Sequence, residues 1–433
     1  MSSMSNALLT SYRDFASLLL DDGVLNDPWI EGMPRFRMEP VVLSGKMMSA
    51  LYLAGETMVA LHDEAARLCA SDSRLVEDFF DWPATYWDMW LASRGAWHGV
   101  ARADVFRTQA GPMVCELNCD TPSGQAEAVA LGRAFTDGGM STRCLDPNRA
   151  LAERIGQLVE EAVAKTAAPI FGAPDGNAVD RPAVGVLYPT ELTEDLCVIE
   201  QHVRWFAARG FRVVLGSPFN LQPDGKGGVA LFGVPCPVIY RHYKTDWWGE
   251  RRSPWRAARP VPDCAPIAGP LTLLLSAIAR GRCAVINPFG AVLAQNKRTM
   301  ALMWEEISRF SSSAQDAIRR YIPLTLRLES LPLAQLKRER WRWVLKADYG
   351  AEGEEVILGA ETTQAEWSEA LDLAAPRRWV VQRRFEASRD EDDNISNYGV
   401  YVVGGRACGL FTRLQRGSTD RHALSAATLV RLP

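Results

Sequence analysis

Four polar residues occur close together in the sequence between positions 99 and 118. In this segment, apolar and polar residues alternate on both sides of a Gln-Ala-Gly-Pro turn. The alternation predicts a β-hairpin. Arg102 and Asp104 have the same parity on one predicted strand, and Glu116 and Asn118 on the other, so all four side chains can lie on one face. Two carboxylates and an amide oxygen are hard ligands, which suit Mg²⁺ better than zinc. Alternatively, the same residues form a simple cross-strand ion pair on a solvated face.

A lysine ends a second predicted strand and is followed by a glycine-containing loop. Lys346 precedes Gly350 and Gly353, and a further strand is predicted from near Glu355. Glycines let the loop backbone approach a ligand closely and offer N–H groups to phosphate oxygens, while the lysine supplies a positive charge. The segment is not a P-loop, because that motif leads into a helix. Considered alone, such a hairpin is more often a plain surface turn.

Helices and a small α/β layer must position these residues. Apolar residues at helical spacing predict an amphipathic helix over 44–70. A second helical stretch is predicted over 73–94, and its tryptophans favour core packing over an aromatic ligand cage. After a Gly- and Pro-rich stretch at 167–183, the order strand, helix, strand, strand predicts a small parallel α/β layer. No G-x-G-x-x-G follows the first of these strands, so the layer is not interpreted as a dinucleotide site.

The composition excludes several broad classes of protein. Across 433 residues, 48 Lys+Arg face 52 Asp+Glu, for a net charge of -4, which predicts no broad affinity for nucleic acid or for a membrane surface. The cysteines include no C-x-x-C pair, so neither a disulfide framework nor a zinc site is expected. No secretory signal is evident, and no apolar run approaches the ~20 residues of a membrane span. The cytoplasm is therefore the expected location.

Four motifs, in order, resemble those of the glutathionylspermidine synthase and circularly permuted ATP-grasp group. RADVF followed by CELNCDTPSGQAEA is similar to the family's Arg-x-Asp and Glu-x-Asn signature with Asp-Thr-Pro. INPFGAVLAQNK resembles its Asn-Pro loop and Gln-Asn-Lys helix start. WVLKADYGAEGEEV is similar to its lysine and glycine-rich phosphate hairpin, and WVVQRRF to its strand with an adenine-proximal glutamine. The resemblance extends from Arg102 to about Arg413.

The resemblance implies an α/β (α+β) fold, a circularly permuted ATP-grasp with a small parallel α/β pre-ATP-grasp domain and an N-terminal helical region. The helical region is expected at 1–98, and the metal-ligand hairpin and helices of the ATP-grasp core at 99–170. The pre-ATP-grasp-like domain is expected at 184–285, and the ATP-binding lobes with the phosphate hairpin at 286–433. The permutation accounts for metal ligands that precede the nucleotide lobe in the chain.

Carried over to this sequence, the resemblance implies roles for individual residues. Mg²⁺ would be held by Asp104, Glu116 and Asn118. Catalytic arginines facing the transferred phosphoryl group would be Arg102 and Arg413. ATP would be bound by Lys297, Lys346, Gly350, Gly353 and Gln382. Candidate substrate residues are Ser123 and Arg241; for Arg241, which follows a strand end of the α/β layer, domain packing is the alternative.

The implied reaction joins a carboxylate to an amine through an acyl phosphate, with release of ADP and phosphate. It requires ATP, Mg²⁺ and small-molecule substrates such as an amino acid, a peptide or a polyamine. The alternative is a catalytically inactive nucleotide-binding protein that serves as scaffold or regulator of a biosynthetic complex; a kinase that stops at the phosphorylated carboxylate is a third possibility. The closing segment DRHALSAATLVRLP departs from the family's pattern, so it does not identify the acceptor. The sequence specifies neither the two substrates nor the oligomeric state.

Overall fold

The computed structural model describes residues 11–136, 143–171, 182–190, 195–250, 267–350, 356–375, 378–417 and 422–432. Besides short 3₁₀ turns, these residues form α-helices and β-strands. The helices are α1 (Tyr12–Leu20), α2 (Gly45–Ser71), α3 (Ser73–Phe80), α4 (Ala84–Ser93), α5 (Gln125–Thr136), α6 (Leu151–Phe171), α7 (Leu196–Ala208), α8 (Thr245–Glu250), α9 (Ala268–Ala279), α10 (Ala291–Ala294), α11 (Arg298–Glu305), α12 (Ser312–Tyr321), α13 (Leu333–Arg338) and α14 (Gln364–Ala374).

The strands are short except for those of two hairpins. They are β1 (Trp29–Ile30), β2 (Met33–Pro34), β3 (Val41–Leu43), β4 (Val100–Thr108), β5 (Gly111–Asn118), β6 (Cys144–Leu145), β7 (Ala183–Leu187), β8 (Arg212–Gly216), β9 (Leu221–Pro223), β10 (Val229–Leu231), β11 (Val234–Pro235), β12 (Val238–Arg241), β13 (Ala284–Ile286), β14 (Thr325–Arg327), β15 (Trp343–Ala347), β16 (Val356–Leu358), β17 (Trp379–Arg383), β18 (Ile395–Val403), β19 (Arg406–Gln415), β20 (Leu424–Ala426) and β21 (Thr428–Arg431).

Three sheets surround the residues of interest. A five-stranded antiparallel sheet has the order β20-β19-β18-β4-β5, and a four-stranded antiparallel sheet the order β14-β17-β15-β16. The third sheet, β13-β12-β7-β8, is parallel, which confirms the predicted α/β layer. Because β18 pairs with β4, the predicted metal-ligand hairpin and the C-terminal strands lie in one sheet although most of the chain separates them.

The long helix α2 covers one face of the five-stranded sheet. Ser44 caps its N-terminus by accepting a hydrogen bond from the backbone N–H of Met47, which confirms the predicted helix start. The helix approaches the sheet so closely that a Cβ at Gly55 would lie 2.7 Å from Val400 Cγ1. A large apolar core therefore lies directly behind the hairpin β4–β5.

The second predicted helical stretch is two helices rather than one. After α3, Asp81 adopts the left-handed conformation with φ 49°, and Pro83 follows, so the helix cannot continue. Trp82 and Trp90 are 8% and 4% exposed, which confirms that the tryptophans here pack in the core. Within the described part of the chain, no helix is both long and apolar enough to cross a membrane.

Two buried histidines should make the stability of the fold sensitive to mild acid. Burial lowers the pKa of His202, whose Nε2 lies 2.9 Å from the Tyr240 hydroxyl, to about 3, and that of His62 to about 4. Below pH 6.5 the unfolded state therefore binds more protons than the folded state, and stability falls as the pH decreases. Each histidine should cost about 2 kcal/mol at pH 5, or roughly 2 °C in Tm for a chain of this size.

The measurement is Tm as a function of pH between 7 and 5. His202→Gln should show a shallower decrease than the wild type, because glutamine does not take up a proton. Equal slopes for His202→Gln and the wild type would contradict the prediction.

Candidate active site

The hairpin β4–β5 places the predicted metal ligands side by side. Asp104 lies directly opposite Glu116, and Arg102 directly opposite Asn118. The pairing then shifts by one residue, so that Cys115 has no partner on β4 and forms a β-bulge. The shared face that the alternation predicted is therefore present, and the bulge turns the Cys115 carbonyl toward other elements.

Arg102 and Asp104 form a buried ion pair. The Nε and Nη2 atoms of Arg102 lie 2.8 and 3.3 Å from the two carboxylate oxygens, and the residues are 7% and 1% exposed. Arg413 on β19 adds a second guanidinium at 3.0 Å. Burial acts to raise the pKa of Asp104, but the two arginines outweigh it and hold this pKa below its ordinary value. The interpretation as a solvated surface pair is therefore wrong.

The guanidinium of Arg102 is held on its other side by a loop and by the neighbouring strand. Its Nη1 donates to the Ser123 carbonyl at 3.0 Å, which also accepts from the Tyr401 hydroxyl at 2.7 Å. Gly399 on β18 lies beside Asp104, and a Cβ at this glycine would come within 2.7 Å of Arg102 Cδ. The glycine therefore leaves room for the arginine to lie across the strand. No motif indicated Tyr401 or Gly399 in the sequence.

Two lysines approach the same hairpin from other elements. Lys297, at the start of α11, has its Nζ 3.8 Å from Glu116 Oε2 and donates to the Gly350 carbonyl at 2.9 Å. Lys346 on β15 donates to the Cys115 carbonyl at 3.1 Å. Burial lowers the pKa of Lys297; Glu116 opposes this shift and the charge of Lys346 adds to it. The two ammonium groups therefore share a confined space whose positive charge an anion would relieve.

Two glutamines connect the end of β5 with the remaining elements. Gln382 on β17 is 2% exposed and donates to the Cys115 carbonyl at 3.4 Å and to Thr325 Oγ1 at 3.0 Å. Gln295 accepts from the two backbone N–H groups that follow Asn118, at 2.8 and 3.1 Å, and donates to the Asn118 side chain at 3.4 Å. Gln295 was not predicted, although it belongs to the QNK motif.

Two of the predicted residues do not belong to this cluster of side chains. Gly353 lies outside the described residues. Arg241 is 1% exposed, and all three of its guanidinium nitrogens donate to protein groups: to Asp120 at 2.5 Å, to the Tyr243 carbonyl at 2.6 Å and to the Asn287 carbonyl at 3.1 Å. Of the two roles considered for Arg241, these contacts fit packing between elements.

The arrangement fits a magnesium ion together with a polyphosphate. Around the two carboxylates and the amide oxygen of the hairpin lie four cationic side chains: Arg102, Lys297, Lys346 and Arg413. Among the described residues, no group of three or more His, Cys, Asp or Glu side chains could hold a metal alone. An ion here would therefore also depend on amide and phosphate oxygens. Beside Asp104, the buried Oδ1 of Asn397 has no hydrogen-bond partner in the described structure, so the site retains an unused acceptor.

Comparison with known proteins relates the C-terminal third of the chain to one family. Residues 267–424 match the family model described as glutathionylspermidine synthase preATP-grasp. The match includes Lys297, Lys346 and Arg413, but not the hairpin that carries Asp104. No curated protein matches the sequence.

Solved structures extend the comparison to the fold. A glutathione synthetase-like effector from Globodera pallida aligns with a TM-score of 0.57 and 10% identity, over 98% of this chain and 96% of its own. A protein named as a gamma-glutamylcysteine synthetase, from Methylobacillus flagellatus, has a TM-score of 0.47 and 12% identity. Its alignment covers 90% of this chain and 88% of its own. The first of these alignments shows a shared fold. The predicted resemblance is thus confirmed: residues 267–424 are similar to the glutathionylspermidine synthase preATP-grasp model, and the chain shares its mixed α/β fold with the glutathione synthetase-like effector.

Proposed function

We propose that the protein is an ATP-dependent carboxylate–amine ligase. The observation that carries this proposal is the convergence on one short segment, 115–118 of β5, of side chains from three other parts of the chain. Lys297 and Lys346 approach this segment from two separate elements, and Gln382 from a third. Such a cluster of fixed positive charge beside hard oxygen ligands suits the transfer of a phosphoryl group, which depends mainly on positioning and charge neutralisation.

In the proposed reaction, a carboxylate oxygen of the first substrate attacks the γ-phosphorus of ATP, and ADP leaves. The amine then attacks the carbonyl carbon of the acyl phosphate, loses a proton and displaces inorganic phosphate. Mg²⁺ would be held by Asp104, Glu116 and Asn118 and would neutralise charge on the phosphates. Lys297 and Lys346 would bind phosphate oxygens.

The two arginines have distinct environments in this scheme. Arg102 is fixed between Asp104 and the Ser123 carbonyl, so its position changes little when a substrate binds. The side chain of Arg413 is 21% exposed and donates to only one oxygen of Asp104. It is therefore the arginine that can reach toward a transferred phosphoryl group. Ser123, whose carbonyl orients Arg102, would border the substrates.

The test is ADP release from Mg²⁺·ATP with a panel of amino acids and small peptides as carboxylates. Hydroxylamine serves as a general acceptor, because it traps acyl phosphates as hydroxamates. A hydroxamate shows that an acyl phosphate forms, which the ligase and the kinase have in common. ADP release that requires an acid and is accelerated by an amine supports the ligase, and ADP release that no amine accelerates would indicate the kinase. If Mg²⁺·ATP raises Tm by about 3 °C, as expected at 100 times Kd, but no acid gives ADP, the inactive scaffold is correct. If the protein shows no turnover and no change in Tm, the ligase, the kinase and the scaffold are all rejected.

A further inference from the structure

Among the residues that the structure describes, one buried carboxylate oxygen on α5 has no hydrogen-bond partner. Glu127 lies in the first turn of α5 and is 4% exposed. Its Oε1 accepts a hydrogen bond from Arg35 Nη2 at 2.6 Å and from the Cys197 thiol at 3.8 Å. Its Oε2 is buried and, within the described structure, makes no hydrogen bond. A buried anionic acceptor without a donor is costly and rare in folded proteins, so this oxygen requires an explanation.

The position of Glu127 connects it with the groups around Arg102. Four residues earlier in the chain, the Ser123 carbonyl accepts from Arg102 and from the Tyr401 hydroxyl. Burial chiefly raises the pKa of Tyr401, and the Glu127 carboxylate adds to this shift, so the carboxylate lies within electrostatic range of the same tyrosine. The Arg35 side chain is 20% exposed, which shows that the Arg35–Glu127 pair borders solvent.

We propose that the free oxygen of Glu127 binds an ammonium group of a substrate, an inference that rests on the ligase function proposed above. An ammonium group carries three N–H donors and a positive charge, and therefore satisfies an unpaired carboxylate oxygen. Both substrates of a ligase can carry this group: the acceptor amine, or a donor acid that is itself an amino acid. Hydroxylamine, which is uncharged at pH 7.5, does not carry it.

Glu127→Gln tests the proposal because it keeps the size of the side chain and removes its charge. The KM of the substrate that carries the ammonium group should rise roughly 10- to 100-fold. The KM for ATP and the ADP release supported by hydroxylamine with an acid that lacks an ammonium group should stay within about twofold of the wild type. A higher KM for the amine identifies the acceptor as the ligand, and a higher KM for the acid identifies the donor. If Glu127→Gln folds poorly, the double variant Arg35→Gln, Glu127→Gln takes its place, because it leaves no arginine without its carboxylate partner. The double variant should show the same rise in KM.

Glu305 provides the matched control. It pairs with Arg327 at 2.9 Å, its side chain is 14% exposed, and both of its oxygens accept hydrogen bonds. Glu305→Gln should therefore leave the KM of every substrate unchanged. Equal KM values in Glu127→Gln and Glu305→Gln would overturn the proposal.

A binding measurement keeps the inference separate from the ligase proposal. Thermal unfolding is compared with glycine, with 1,4-diaminobutane and with NaCl at equal ionic strength. A rise in Tm caused by either amine in the wild type and Glu305→Gln, and absent in Glu127→Gln, supports the ammonium site. If neither amine raises the Tm of the wild type, or all three proteins respond equally, the site does not exist. Where the wild type releases no ADP with any acid, the ligase proposal fails and this measurement alone decides the inference.

Discussion

Replacing Lys346 by methionine should lower acid-dependent ADP release by about 10²- to 10³-fold, the usual effect of removing one preorganised donor from a transferring group. Lys346 is 6% exposed, and its ammonium group lies at the bulge of β5, beside the predicted metal ligands. Methionine keeps the length of the side chain, so the fold around β15 should persist. The loss should therefore appear in kcat, while Tm without ligand changes by only a few degrees.

The matched control for this variant is a partly exposed lysine that precedes β15 in the chain. Lys337 pairs with Asp372 at 2.8 Å on the surface, with its side chain 31% exposed. Lys337→Met should retain wild-type kcat and KM. If Lys346→Met kept more than about a tenth of the wild-type kcat, Lys346 would not contact the transferred group, and the proposed ATP site would be misplaced.

Asp104→Asn should strongly destabilise the protein even without nucleotide or metal. The guanidinium groups of Arg102 and Arg413 both lie within 3.0 Å of this carboxylate. Asparagine would remove the negative charge that these two buried or partly buried groups share. Breaking a buried ion pair from one side costs about 3–5 kcal/mol. With an unfolding entropy of roughly 0.9 kcal/mol per degree for a chain of this size, Tm should fall by about 3–5 °C.

A double variant distinguishes the charge effect from a general loss of packing. In Asp104→Asn, Arg413→Gln, one of the unpaired charges is also removed, so part of the lost stability should return. Asp393, which pairs with Arg389 at 3.2 Å and has a side chain 68% exposed, is the control: Asp393→Asn should change stability by less than about 0.5 kcal/mol. An unchanged Tm for Asp104→Asn would show that the two arginines do not need this carboxylate.

Much of the local structure could be predicted because local patterns encode it. The helix over 44–70 has a serine cap and apolar residues at helical spacing, and the hairpin over 99–118 has alternation and a glycine-containing turn. Both signals depend only on neighbours in the chain. The break between α3 and α4 was missed, because the helical pattern continues past Asp81 while the backbone there turns left-handed before Pro83.

The features that position the site depend on contacts between distant segments. The bulge at Cys115 matters because its carbonyl meets Lys346 and Gln382, and both come from another sheet. Arg241 was a substrate candidate because it follows a strand end of the predicted α/β layer. Its actual partner, Asp120, lies more than a hundred residues earlier in the chain, and no local pattern links the two.

By itself, the sequence determined the chemistry available to this protein: oxygen ligands on one face of a hairpin, a lysine before a glycine loop, and the motifs that resemble one family. Only the tertiary structure decided that these groups converge, that Asp104 is buried between two arginines, and that one oxygen of Glu127 has no hydrogen-bond partner within the described part of the chain. The physical reason is that strand alternation and helical spacing arise from backbone geometry over a few residues. Burial and charge pairing, in contrast, arise where separate sheets and helices pack, which local spacing does not encode.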